Sequence, residues 1–365
     1  MNTADEIKSL AIQNKDKVWR WHFQGRFFGI YKTFGGFQKH ELNSLLFLSI
    51  DKPVDLCRLL KKPFFDLQNI LNNPSYTFFT VSKKRGGKRE IYAPDGALKK
   101  VQKQLNYYLQ AYYLCIKPKE VTGFVINPHY LGEYCNIVAN ASYHVGKKYL
   151  LNIDLKDFFP GITAKRVQDV FQSDVFCFND QISTALTLLT TFQGRLPVGA
   201  PTSPVISNFV CQQLDAELIG FCKNYGLTYS RYADDLTFSS DDPFTASILN
   251  DIEEKITRIG FVINSKKTRL TSMNRKQTVT GITVNQKVNV DRKLLKRARA
   301  MVHDLSVNGL AAASCNHFGI EEGSQKLQEY FLNKLNGYIN FIGQVRGKED
   351  DMYIKLMSQV QIGLK

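Results

Sequence analysis

Tyr232-Ala233-Asp234-Asp235 sets two adjacent carboxylates between two short runs of β-forming residues, Leu227-Thr228-Tyr229 and Leu236-Thr237-Phe238. That pattern predicts a hairpin with the acids at its turn. Adjacent carboxylates repel, so a fold gains nothing by placing them together unless a divalent cation neutralises them. A solvated acidic turn is the alternative, since turns favour Asp. A third acid, Asp154, sits in the apolar run Tyr149 to Pro160. An Asp in a buried strand is costly unless it is hydrogen-bonded, paired or bound to a metal.

The elements that would position these acids follow from the patterning. Val81 to Pro94 predicts a basic hairpin, with Gly86-Gly87 at its turn. Leu45 to Leu71 predicts one or two helices, and Leu98 to Leu114 an amphipathic helix. Residues 162 to 193 predict two more. Gly194 to Pro204 is a Gly/Pro-dense loop whose small residues permit close backbone approach, and a helix follows over 204–225. Residues 245 to 259 predict an amphipathic helix, Gly260 to Thr268 a turn and strand, and Val279 to Val284 another strand. Asp291 predicts the N-cap of a helix ending at Asn308-Gly309. Its apolar stripe is Leu294, Leu295, Ala298, Met301, Val302 and Leu305. Its basic face carries Arg292, Lys293, Lys296, Arg297 and Arg299.

The chain has 365 residues, 44% of them hydrophobic, which suits an ordinary globular protein. Its 48 Lys and Arg against 33 Asp and Glu give a formal net charge of +15, which points to a polyanionic partner such as nucleic acid. Seven cysteines without a Cys-x-x-Cys pair suggest reduced thiols in a cytoplasmic protein, and no zinc site. No apolar run is long enough to span a membrane. Residues 1 to 50 mix basic residues with Trp19, Trp21, Phe27, Phe28 and Tyr31. They would form either a nucleic-acid-contacting extension or a small helical cap.

Together these pieces resemble a reverse transcriptase. Asp154 to Phe159 matches the first acidic motif of the palm, and Leu196 to Pro204 resembles the Pro-x-Gly-x-x-x-Ser-Pro loop. Tyr232 to Asp235 matches YxDD, and Gly260 to Thr268 matches the motif ending in Lys-Thr. Asn140-Ala141-Ser142-Tyr143-His144 and Val279-Thr280-Gly281 resemble the Asn-Ala-x-x-His and Val-Thr-Gly signatures of retron reverse transcriptases. Val198 departs from the family, where many members carry Gln.

The resemblance implies an α+β right-hand polymerase. Fingers would cover 51–148, after an N-terminal extension over 1–50. The palm, an antiparallel sheet backed by helices, would cover 149–160 and 196–285, with a helical insertion over 161–195. A helical thumb would cover 286–365. The implied activity is RNA-directed DNA synthesis on two Mg2+ ions, held by Asp154, Asp234, Asp235 and the Leu155 carbonyl. Lys267 would protonate the leaving pyrophosphate. Lys88 and Arg89 would grip the dNTP triphosphate, with Phe159, Pro197 and Gly199 shaping the nucleotide pocket and Phe159 excluding a ribose 2′-hydroxyl. Asn140, His144, Val279, Thr280 and Gly281 would recognise RNA, and the Arg292–Arg299 face would track the duplex. The implied partners are a cognate structured non-coding RNA, the branched DNA (msDNA) primed on it from a guanosine 2′-hydroxyl, and a separate effector in anti-phage defence. Another bacterial reverse transcriptase, of the abortive-infection or diversity-generating type, and a non-catalytic RNA-binding protein on a polymerase fold are the alternatives.

Overall fold

The computed structural model describes residues 3–15, 18, 36–83, 86–126, 131–132, 135–319 and 324–363. The N-terminal aromatics Trp19, Trp21, Phe27, Phe28 and Tyr31 lie outside them. The described part of the first 50 residues is a helical cap. Helices α1 (Ala4–Gln13) and α2 (Lys39–Leu48) bury Ile7, Ala11, Leu45 and Phe47 in the main core. Leu45 to Leu71 then holds three helices rather than one or two, as α3 (Pro53–Leu59) and α4 (Phe64–Asn72) follow the end of α2. Pro53 starts α3 and Pro63 precedes α4, positions where a missing N–H costs nothing.

Strands β1 (Tyr76–Ser82) and β2 (Lys88–Pro94) form the basic hairpin, in register from Tyr76↔Pro94 to Ser82↔Lys88. Its turn needs Gly86 and Gly87, at φ 87° and 83°. Helix α5 (Gly96–Ile116) buries Leu98, Val101, Leu105, Leu109 and Tyr112, one stripe at helical spacing. The short α6 (Ile137–Ser142) leads into β3 (Tyr149–Asp154).

The central sheet is antiparallel, in the order β4 (Thr228–Tyr232), β5 (Asp235–Ser240), β3, β6 (Arg269–Ser272). Helices α7 (Ala164–Gln172), α8 (Asp180–Thr190), α9 (Ser203–Val210), α10 (Gln212–Asn224) and α11 (Ala246–Arg258) supply the rest of the main core. Residues 204–225 hold two helices, which meet at Cys211 (φ −83°, ψ −4°). Phe176 lies within 6.0 Å of the rings of Phe47, Tyr112, Phe171, Phe178 and Phe209. Each such pair adds about 0.5–1.5 kcal/mol beyond the area it buries.

Two strand expectations are corrected. Residues 260–268 form turns tied to the sheet by one isolated bridge, Leu155↔Ile263, and the strand starts only at Arg269. Val279 to Val284 is a tight hairpin, β7 (Thr278–Val279) and β8 (Ile282–Thr283), instead of one strand. Thr280 (φ 48°) and Gly281 (φ 84°) form its turn, with both central residues left-handed as a two-residue hairpin turn requires.

A second core joins α12 (Arg292–Phe318), α13 (Gln325–Arg346) and α14 (Asp351–Gly363) to β7, β8, Ala141 and Leu150. Asp291 caps α12, accepting the Lys293 N–H. The expected stop at Gly309 is a break inside a longer helix, at φ 75° and ψ 172°. Among the described residues no helix is long and apolar enough to cross a membrane.

Candidate active site

The β3–β5 ladder places Asp154 directly opposite Asp235. The turn between β4 and β5 is Ala233-Asp234, with Ala233 at φ 60°. Asp234 is tied to the same spot, because its carbonyl accepts the Leu155 N–H at 3.0 Å. Two chain segments far apart in sequence thus bring three carboxylates to one end of the sheet. The region Asn264 to Lys267 closes the site from the β6 side. Lys267 Nζ donates to Asp154 Oδ1 at 2.7 Å, and Asn264 Nδ2 donates to Asp154 Oδ2 at 3.0 Å.

The electrostatics follow from that crowding. Loss of surrounding water, then the charge of Asp154, raises the Asp234 pKa, while Lys267 and Arg89 oppose the rise. Asp235 keeps an open surface, yet loss of solvation and the charges of Asp234 and Asp154 raise it to about 6. Carboxylates that resist ionising together are the donor set a hard divalent cation favours. Among the described residues no group of three His, Cys, Asp or Glu is already drawn together to hold a metal. Both Asp154 oxygens are engaged by Lys267 and Asn264 instead. The Leu155 carbonyl accepts no hydrogen bond from a described residue. A residue set of this kind fits divalent ions.

The acids open onto a cleft of about 740 Å³ lined by Asp154, Tyr232, Asp235 and Lys267, by Lys83 and Arg89 of the basic hairpin, and by Arg269, Thr280 and Gly281. Residues 81–286 match the family model described as reverse transcriptase (RNA-dependent DNA polymerase). The chain belongs to the reverse transcriptase family, the RNA-directed DNA polymerases.

It is of the retron type within that family. The chain is 36% identical over 236 residues to the retron Ec86 reverse transcriptase of Escherichia coli, covering 63% of this chain and 70% of that one. It is 35% identical over 247 residues to the retron Mx65 reverse transcriptase of Myxococcus xanthus, covering 62% of this chain and 55% of that one. It is 28% identical over 306 residues to the retron Ec83 reverse transcriptase of Escherichia coli, covering 77% of this chain and 93% of that one.

Several expected contact residues of this reverse transcriptase lie elsewhere than the sequence suggests. Asn140 and His144, expected to recognise RNA, are fully buried beneath the surface. Asn140 Oδ1 accepts from Thr122 Oγ1. His144 braces the base of the acidic hairpin, its Nδ1 2.7 Å from Ser239 Oγ on β5 and its Nε2 2.7 Å from Ser230 Oγ on β4. Burial and then Lys147 push its pKa down to about 3, so the imidazole is neutral. Val279 is also fully buried, anchoring the β7–β8 hairpin in the second core, while Thr280 and Gly281 face the cleft. Arg89 lines the cleft and Lys88 does not.

Pro197 and Gly199 serve the scaffold first. The Pro197 carbonyl accepts from Ser203 Oγ at 2.6 Å, and the Val198 carbonyl accepts the Tyr92 N–H at 2.8 Å. A Cβ on Gly199 would stand 2.8 Å from Ile91 Cγ2. The close approach expected of this loop is therefore made to β2, which carries Arg89. The Phe159 ring lies tilted 5.7 Å from Phe124 and edge-to-face 5.4 Å from Phe158. Arg292, Lys293, Lys296, Arg297 and Arg299 are all exposed. Arg297 lies over the Tyr338 ring and Arg299 donates to Met352 Sδ.

The support behind the acidic turn had no motif to announce it. Arg231 is fully buried and donates through Nε and Nη2 to Asp215, at 2.8 and 2.6 Å. Its Nη1 donates to Asn208 Oδ1 and to the Ala233 carbonyl, at 3.0 and 3.1 Å. Tyr229 Oη donates to Asp215 as well. The one available signal was a lone basic residue inside the strand Thr228–Tyr232, which once buried needs an acid for a partner.

Proposed function

We propose that this chain binds a structured RNA encoded with it and copies part of that RNA into DNA from deoxynucleotides. The observation that carries the reading is the meeting of Asp154 and Asp235, with Asp234 beside them in the turn, at a cleft lined also by Lys83, Arg89, Lys267 and Arg269. Phosphoryl transfer needs positioning and charge compensation more than covalent chemistry. Asp154, Asp234, Asp235 and the Leu155 carbonyl would hold two Mg2+ ions. When bound, they supply charge stabilisation to the attacking and leaving oxygens. Arg89 would draw the triphosphate toward the acids. Lys267, already 2.7 Å from Asp154, would move its proton toward the leaving pyrophosphate. The exposed basic face of α12 would follow the phosphates of the duplex.

In this reading 51–148 are fingers, 149–160 and 196–285 palm, and 286–365 thumb. The retron resemblance supports the rest: priming from a guanosine 2′-hydroxyl, a branched RNA–DNA product, and action in the cytoplasm with a separate effector against phage.

The test is to express the gene with its flanking DNA and purify the protein with whatever nucleic acid accompanies it. Treatment with RNase, DNase and a debranching enzyme would precede denaturing gels. A short single-stranded DNA of fixed length, joined to RNA until debranched, is expected. Unbranched DNA would remove the priming proposal, and the absence of nucleic acid would remove the RNA partner.

A further inference from the structure

One polar row beside the acids has no part in the chemistry above. Asn152 pairs with Thr237 across the β3–β5 ladder and with Arg269 across the β3–β6 ladder. Thr237, Asn152 and Arg269 therefore form a transverse row on three adjacent strands. Side chains two apart on a strand share a face. Asn152 lies two residues before Asp154 and Thr237 two after Asp235, and Arg269 stands opposite Asn152. The row thus lies on the face that carries the acids, about 6.8 Å further along the strands. That is roughly the length of one nucleotide of backbone. All three side chains line the same cleft as Asp154 and Asp235.

The row is built to meet a ligand rather than to close the sheet. Thr237 is buried, and its Oγ1 accepts from Asn152 Nδ2 at 3.3 Å, which orients the Asn152 amide. The Asn152 Oδ1 then has no donor among the described residues. The Arg269 side chain is exposed and makes no ion pair or hydrogen bond to any described residue. The other cleft cations differ in place. Arg89 lies close enough to Asp234 to oppose its raised pKa, and Lys267 is paired with Asp154. Arg89 thus acts at the turn end of the acids, whereas Arg269 stands level with Asn152, two residues down the strands from Asp154.

We propose that the Thr237–Asn152–Arg269 row is a subsite for the terminal nucleotide of the priming strand, with Arg269 on its phosphate and the Asn152 amide on a ribose hydroxyl. This rests on the polymerase reading above and adds the strand and the sugar that this part of the site takes. An incoming triphosphate has its own cations on the hairpin side, so the free cation further down the strands suits the strand being extended. An amide with a free acceptor can take the 2′-hydroxyl donor that distinguishes RNA from DNA. An apolar row there could hold a sugar but could not tell the two apart.

The experiment is steady-state extension of two primers of one sequence, one ending in a ribonucleotide and one in a deoxynucleotide, on a common RNA template. Wild type is compared with Arg269→Ala, Arg269→Lys and Asn152→Ala. Arg269→Ala should raise the KM for both primers roughly tenfold, as expected for one lost charge-assisted phosphate contact, with the dNTP KM unchanged. Arg269→Lys should recover part of that loss. Asn152→Ala should raise the KM for the ribonucleotide-ended primer alone, removing the wild-type preference. Melting temperatures check that each variant folds, and Arg269 is exposed enough to be replaced safely. Unchanged primer KM values in folded variants, or an equal rise in the dNTP KM, would overturn the subsite. A wild-type protein that extends neither primer would instead remove the polymerase reading on which it rests.

Discussion

Arg231 Nη1 donates to the Ala233 carbonyl at 3.1 Å, which ties a fully buried guanidinium to the backbone that turns between Tyr232 and Asp234. The same guanidinium is held by both oxygens of Asp215, also fully buried. The acidic turn is thus fixed from behind by an ion pair the solvent never reaches. Removing one partner strands the other charge in the core, which costs about 3–5 kcal/mol. Asp215→Asn and Arg231→Met should each lower the urea midpoint accordingly. The double variant Asp215→Leu/Arg231→Met should recover much of the stability and little of the nucleotide incorporation. Recovery of both together would show that the pair serves folding alone.

Gly123 presses on the same turn from another side. A Cβ there would stand 2.4 Å from the Ala233 nitrogen and 2.8 Å from the Tyr232 carbonyl carbon, both backbone atoms that cannot swing away. Gly123→Ala must therefore displace the turn that carries Asp234. The expected result is a loss of kcat of at least tenfold, since catalytic geometry tolerates displacements well under about 1 Å. Gly220→Ala, where nothing lies within 4 Å of the added carbon, is the control and should leave kcat alone. Equal rates for Gly123→Ala and wild type would mean that the turn is not held rigidly.

The acids, the two hairpins and the basic helix face were legible because each depends on local chemistry. Asp234-Asp235 advertises itself by adjacent charge, Gly86-Gly87 by backbone freedom, and Arg292 to Arg299 by periodicity. What stayed hidden depends on partners distant in sequence. Asp215 and Arg231 belong to different elements, and only the packing of α10 against β4 makes them a pair. A signature motif singled out His144, but nothing in the motif announces its two bonds to Ser230 and Ser239, which brace the hairpin. Val279 to Val284 was misread as a single strand because five of its six residues are strand formers and the Thr280-Gly281 turn interrupts them only briefly. Only the left-handed backbone there distinguishes the two.

His144 gives the fold an acid limit. Its pKa is lowered to about 3 in the folded chain against 6.5 for an unperturbed imidazole, so below that value the unfolded state binds the proton more readily. Stability is whole above the unfolded pKa and falls as pH drops, by about 1.4 kcal/mol per pH unit between the two values. Urea titrations from pH 7 to pH 4 should show that slope in wild type, and His144→Gln should lose it whatever its absolute stability. Parallel curves for the two proteins would place the acid sensitivity elsewhere.

The exposed cations of α12 make a separate claim about binding. If Lys296 and Arg297 meet phosphates, replacing either by Ala should weaken RNA binding for all sequences and reduce the slope of log K against log salt by about 1. The measurement is filter binding of a structured RNA across a range of salt. An unchanged slope in both variants would put the duplex on another surface.

Asp234→Asn separates binding from chemistry most directly. The variant removes one carboxylate from the turn but keeps its shape, and the Asp234 carbonyl can still accept the Leu155 N–H. It should retain RNA affinity and lose nucleotide incorporation. It should also bind divalent ions more weakly, as read by Mg2+-dependent thermal shift, because the remaining acids carry less charge. With Asp234 gone the Asp235 carboxyl loses one of the charges that raise its pKa, so it should ionise more easily, which carboxyl NMR can follow. Full incorporation by Asp234→Asn on Mg2+ would displace the catalytic assignment from this turn. Loss of RNA binding along with incorporation would show instead that the variant had disturbed the fold.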